Sequence, residues 1–173
     1  MKKLAISLVI MGITTFGLAQ NSHPRFEQFK RLDIESLGTN YAYLNEVQKG
    51  FAPNQVKYLE NVVSYWDVTR SDAFTRYIDD PFEVTFKSSS GYITVNYDRA
   101  GRIVMAKERF KNVAVPTTIG VSILKEYPNW RISKSKYSVK YIKDKEAKKS
   151  FKVQLSKDHI KKWVAVDPSG NLS

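Results

Sequence analysis

PNQVKYLENVVSYW (Pro53–Trp66) and PTTIGVSILKEYPNW (Pro116–Trp130) decide the fold, because they read as two copies of one plan. Each opens on proline, which suits the first turn of a helix, and closes on an aromatic cluster. In the first copy Val56, Leu59, Val62, Val63 and Trp66 share one face at helical spacing. In the second, Ile119, Ile123 and Leu124 repeat that face, Tyr127 closes the turn and Pro128 stops the helix. Both helices are short and partly β-branched, so they need a sheet to pack against.

Working outward, each helix is followed by an alternating strand, Phe82–Phe86 in the first copy and Phe151–Leu155 in the second. Each copy ends on a strand running into an Asp-x-x-Gly turn, Asp98–Gly101 and Asp167–Gly170. Gly91–Asp98 and Arg102–Phe110 form a hairpin across the first of these, where Asp98 bonds its own backbone two residues on and Gly101 takes positive φ. Tyr137, Val139 and Tyr141 alternate with Lys136, Ser138 and Lys140, and a polar connection over Lys143–Lys149 leads to the next strand. A repeat of about 50–55 residues implies tandem α+β units, with short helices on one face of antiparallel sheet. Before the first helix, Tyr41–Val47 alternates and predicts a strand, followed by a turn at Lys49–Ala52.

Lys2 and Lys3 precede an apolar run, Leu4–Phe16, and Gly17-Leu18-Ala19 supplies small residues for signal peptidase. The run is too short to span a bilayer and has no stop-transfer flank. Residues 1–19 therefore read as a signal peptide cleaved after Ala19, and the product as a periplasmic or secreted protein without a membrane span. Residues 20–38 read as a polar leader, either a short docked helix or a mobile segment. The expected units follow at 39–115 and 116–173.

The chain has no cysteine, so stability rests on apolar burial rather than disulfides. Of 173 residues 28 are Lys or Arg and 17 are Asp or Glu, a formal net charge of +11 that falls to +9 when Lys2 and Lys3 leave. Arg131–Lys162 alone holds twelve Lys or Arg against Asp144, Glu146 and Asp158, a local +9, so the remainder is balanced. That asymmetry suits an anionic partner, or a face that is merely solvated.

The catalytic inventory is thin. His23 and His159 sit in no metal-ligand spacing, and no residue pattern calls for a cofactor. Ser88-Ser89-Ser90-Gly91 lacks the G-x-S-x-G elbow and reads as a loop. Asp79-Asp80, near Asp72, could act as an acid–base or calcium pair, but the position before Pro81 favours a turn. These readings predict a protein that is not an enzyme. A hydrolase with a site that no motif exposes stays as the rival from another class.

The basic segment is the functional lead. With Tyr137, Val139, Tyr141, Phe151, Val153 and Leu155 facing the core, Lys136, Lys140 and Lys152 face away. Aligning the two Asp-x-x-Gly turns puts Trp163 beside Lys161 on that outward face, at the position that Thr94 takes in the first copy. Lys136, Lys140, Lys152, Lys161 and Trp163 thus form the expected partner-binding set. It suits an acidic protein surface or an anionic envelope polymer such as lipopolysaccharide or cell wall, with Trp163 as anchor. Lysines that only guard strand edges are the alternative. Export makes specific nucleic-acid binding a poorer fit, and no nucleic-acid module is present.

The run Phe110-Lys-Asn-Val-Ala-Val-Pro116, the helix after it and Glu126-Tyr-Pro-Asn-Trp130 resemble the PepSY-like family of exported bacterial proteins, in which a "P…I…YPGW" segment precedes strands ending in a D-x-x-G turn. Thr39–Val47 and Gly91–Asp98 also resemble members of that group, so the likeness covers most of Thr39–Ser173. Asn129 stands where glycine is usual. The resemblance implies helices on one face of an antiparallel sheet. It also implies a binding or inhibitory module without catalysis, similar to tandem β-lactamase-inhibitor proteins, and supplies no catalytic residues.

Overall fold

The computed structural model describes residues 40–72, 74, 81–167 and 169–172. The expected signal peptide, the leader, His23 and the Asp79-Asp80 pair lie outside the described residues. Three helices are described, α1 (Tyr41–Gln48), α2 (Asn54–Tyr65) and α3 (Thr117–Glu126), with a 3₁₀ turn at Val68–Arg70. Six strands follow the chain: β1 (Phe82–Lys87), β2 (Gly91–Tyr97), β3 (Ile103–Lys111), β4 (Arg131–Ile142), β5 (Lys148–Lys157) and β6 (Ile160–Val166).

All six strands form one antiparallel sheet in the order β1-β2-β3-β4-β5-β6, so every strand pairs with its neighbours in sequence. The fold is α+β. A helix followed by three strands occurs twice, within one continuous sheet: β3 and β4 pair from Met105↔Ile142 to Lys111↔Lys136. Period-2 alternation sends one set of side chains inward, among them Val95, Phe110, Tyr137, Phe151 and Leu155, where they join Val56, Leu59, Val63, Ile119 and Ile123 of the helices in one buried cluster. Each such aliphatic or aromatic side chain contributes about 1.5–3 kcal/mol by leaving water. This burial offsets the entropy of ordering short helices that would not persist alone.

Pro53 and Pro116 both occupy the N-cap position of their helices. Asn129 takes φ +67°, a left-handed conformation that asparagine tolerates, so the turn closes without the usual glycine. At the β2–β3 turn, Asp98 Oδ1 accepts from the Ala100 and Arg102 amides at 2.9 Å each, and Gly101 adopts φ +74°. The Asp167 turn repeats this, with Asp167 Oδ1 accepting from the Asn171 amide at 2.9 Å and Gly170 at φ +93°.

Two expectations are corrected. Tyr41–Gln48 is a helix, not a strand: Tyr43 and Val47, four apart, are buried while Tyr41 and Asn45 are exposed. An eight-residue window satisfies both periods, and long-range bonds decide between them. Asn40 ties the helix start to the β2–β3 turn by accepting from the Ile103 amide at 2.6 Å and donating to the Gly101 carbonyl at 3.4 Å. Leu124 does not face inward either. It is 49 % exposed, because Ile119 and Ile123 already fill the buried stripe and the next residue turns about 100° away. Trp130 packs against the core and is partly buried, with the Lys162 ammonium 4.9 Å from its ring centroid and 3.4 Å from that of Tyr127.

Candidate functional site on the open face of the sheet

The helices cover one face of the sheet, and the other is open. Its side chains are read directly from the register. On β3, Lys107, Arg109 and Lys111 alternate with buried Ala106, Glu108 and Phe110. On β4, Lys136, Ser138 and Lys140 alternate with buried Tyr137, Val139 and Tyr141. On β5, Lys148, Ser150 and Lys152 project the same way.

Pairing lines these residues into rows across three strands. Lys111 stands opposite Lys136, and Lys136 opposite Lys152. Two residues along, Arg109 stands opposite Ser138, and Ser138 opposite Ser150. Two further on, Lys107 stands opposite Lys140, and Lys140 opposite Lys148. Directly opposed like charges destabilise a sheet by roughly 0.2–1 kcal/mol per pair. Among the described residues none of these seven cations forms an ion pair; Asp67–Arg70 and Asp98–Arg102 are salt bridges local to turns. The face therefore carries electrostatic repulsion that an anion would relieve.

Trp163 lies on edge strand β6, 42 % exposed and opposite Gln154. The Lys136 ammonium lies 4.5 Å from its ring centroid, so one lysine of the first row is drawn toward the aromatic edge. Lys161 shares that outward face opposite Ser156. All five residues expected from the sequence thus lie on the open face. The structure brings Lys136, Lys152 and Trp163 into one neighbourhood, sets Lys140 in a different row and leaves Lys161 on the edge. Sequence reasoning missed Lys107, Arg109, Lys111 and Lys148. The alternation of cations along β3 was the available signal, but buried Glu108 interrupts the inward apolar pattern and hides the phase.

Beneath this surface, on the covered side, Glu108 and Glu60 are 1 % and 0 % exposed. Tyr43 Oη donates to Glu108 Oε1 at 2.8 Å, while among the described residues no hydrogen bond of ordinary geometry reaches Glu108 Oε2 or either Glu60 oxygen. Burial pushes the Glu108 carboxyl well above the usual carboxylate range, and negative charge on Glu60 pushes the same way. Glu60 is raised by its own burial, against the lowering influence of Glu108, Gln48 and Lys149. Burial lowers Lys149, whose ammonium donates to the Lys49 carbonyl.

Three further features bear on chemistry. His159 is exposed in the two-residue turn between β5 and β6. Ser88, Ser89 and Ser90 form the β1–β2 turn, and Ser88 Oγ lies 3.2 Å from both the carbonyl and the amide of Gly91. Among the described residues no three of His, Asp and Glu gather into a metal-ligating group, and no helix is long and apolar enough to cross a membrane.

Comparison with known proteins adds little to this geometry. No family model matches the chain, and no curated protein matches it. A solved structure described as a DUF2874 family protein from Bacteroides ovatus ATCC 8483 is similar at TM-score 0.32 and 16% identity, over 54% of this chain and 67% of that one. A likeness of that size carries no argument about function.

Proposed function

We propose that this chain is a non-catalytic, exported binding module that engages an anionic partner in the cell envelope through the open face of its sheet. The observation that carries the reading is the cross-strand pairing of lysine with lysine, Lys111–Lys136–Lys152 and Lys107–Lys140–Lys148, with no acid beside them. A face meant only to be soluble gains more from mixed charges, since opposed lysines cost stability. Exposed Trp163, at the edge of the same face, supplies an apolar anchor of the kind that dominates binding energy at protein interfaces. Export rests on the Lys2–Ala19 signal pattern, and the absence of catalysis on the residue inventory and the PepSY-like resemblance.

Trp163 also favours a second reading, an inhibitor of a periplasmic enzyme. The two differ in salt dependence. Screened lysine contacts to an anionic polymer weaken as ionic strength rises, whereas a buried aromatic anchor holds. The test is a pull-down from the native envelope fraction with residues 20–173 as bait, at low and high salt. Release of an anionic polymer by salt is the expected result. One protein retained at high salt would favour the inhibitor reading, and capture of nothing at either salt would overturn both.

A further inference from the structure

Of the three rows on the open face, the middle one is different. Its central pair is Ser138 opposite Ser150, two short hydroxyl side chains between long cationic ones. The result is a depression of about 300 Å³, bordered by Lys107, Arg109, Lys140 and Lys148. Neighbouring strands are about 4.8 Å apart and successive same-face residues about 6.7 Å apart, so these groups converge within a span that one small ligand can bridge.

We propose that this depression is a binding site for a phosphate monoester group, held by the Ser138 and Ser150 hydroxyls and by Lys107, Arg109, Lys140 and Lys148. The inference rests on the reading of the open face as an anion-binding surface and names the centre and the chemistry of that site. These four cations have no ion pair among the described residues, and Lys107 and Lys148 each stand directly opposite Lys140, so the group suits a dianion better than a single carboxylate. A phosphate monoester brings a charge of about −1.5 to −2 and three acceptor oxygens, enough for hydroxyl and ammonium donors at once. Arg109 offers a planar fork that grips two phosphate oxygens together. Glu108 also lines the depression, but its side chain is buried on the covered side, and burial raises its carboxyl well above the usual carboxylate range, which favours the neutral form and limits its opposition to this field.

The site is also separable from the neighbouring row. Lys136 leans over Trp163, and neither Lys136 nor Lys152 borders the depression. Arg109 leads instead into a second hollow of about 640 Å³ that Lys87, Tyr92 and Lys111 line together with the serine turn. That hollow gives room for whatever the phosphate is attached to.

The experiment titrates the full chain with inorganic phosphate and with vesicles of phosphatidic acid in phosphatidylcholine, at constant ionic strength. Wild type is compared with the double variant Ser138→Ala/Ser150→Ala and with Lys136→Ala/Lys152→Ala. The serine variant keeps every charge, and the lysine variant keeps the depression; melting temperatures establish that both are folded. Losing two hydroxyl donors to a charged group is expected to weaken binding at least tenfold, and by more than the lysine variant, which removes two charges from the neighbouring row. Binding of inorganic phosphate would identify a soluble source, and binding of the vesicles alone a lipid-borne one; either upholds the site if the serine variant loses it. An unchanged serine variant beside a strongly weakened lysine variant would overturn the site yet leave the cationic-face reading standing. Failure of wild type to bind either probe would overturn the site outright, and the envelope pull-down then judges the face independently.

Discussion

The two faces of one sheet obey opposite electrostatic rules. On β3 alone, Lys107 and Arg109 stand in solvent while Glu108 between them is buried to 1 % exposure. The covered face hides acids in an apolar layer, where they are tolerated because a proton or Tyr43 compensates them. The open face gathers Lys and Arg side chains in water. Neither arrangement maximises stability, since buried carboxyls and opposed lysines both cost something. The covered face nevertheless keeps the fold, because apolar area outweighs one awkward pair. On the open face no comparable burial offsets the repulsion, and the proposed partner is placed there for that reason.

Substitutions on adjacent residues of β5 break this comparison most sharply. Phe151 is buried against Tyr137, with ring centroids 4.6 Å apart, and Lys152 beside it is exposed. Phe151→Ala should lose about 3–5 kcal/mol in denaturant unfolding, and Lys152→Ala should stay within about 0.5 kcal/mol of wild type. Comparable losses would mean that the open face is not open.

Within the covered face the next effect in size is Tyr43→Phe. It removes the donor to Glu108 Oε1 and leaves a buried acceptor without a partner, at a cost of about 1–3 kcal/mol. Glu108→Gln should act in the other direction and depend on pH. A carboxyl raised in the folded state keeps a proton that the unfolded chain releases above about pH 4.3, so its contribution makes stability fall as pH rises from there. Below that value both states are protonated and the contribution vanishes. The Gln variant should therefore match wild type near pH 4.5 and gain on it progressively as pH rises toward 8 in melts across that range. A constant difference at all pH values would show that Glu108 is ionised in the fold.

The sequence showed the covered face far better than the open one. Inward phases on β2, β4, β5 and β6 follow from alternation of Val, Tyr and Phe, and both proline-opened helices from a 3.6-residue stripe. Tyr41–Gln48 reads as a strand from local pattern because its two buried positions, Tyr43 and Val47, fit either period, and the contacts that settle it reach Glu108 and the β2–β3 turn some sixty residues away. The rows on the open face were only half legible. Lys136, Lys140 and Lys152 followed from their own strands, but which lysine meets which depends on register. A bulge at Ile132–Lys134 and the connections between strands set that register, not local pattern. Alternation alone puts Ser138 and Ser150 on the outward face, but nothing sets them opposite each other until β4 and β5 are aligned.

Two smaller effects sharpen the comparison from the open side. Lys140 faces Lys107 on one side and Lys148 on the other, so Lys140→Glu turns two like-charge pairs into opposite ones. It should raise stability by about 0.5–1.5 kcal/mol at low salt, with the gain fading as salt rises, while weakening anion binding. A stability gain paired with a binding loss is the signature of a surface shaped for a partner; loss of both would point to a structural role for Lys140. Trp163→Ala is expected to be smallest in stability, below about 1 kcal/mol, because the ring is 42 % exposed and its contact with the Lys136 ammonium lies in water. Its effect on partner capture should be larger than its effect on folding, since the ring then acts as an anchor and not as core. Unfolding and binding measured on the same variant decide the matter: a loss of about 3 kcal/mol in stability would assign Trp163 to the covered face's job and leave the lysine rows as the only means of attachment.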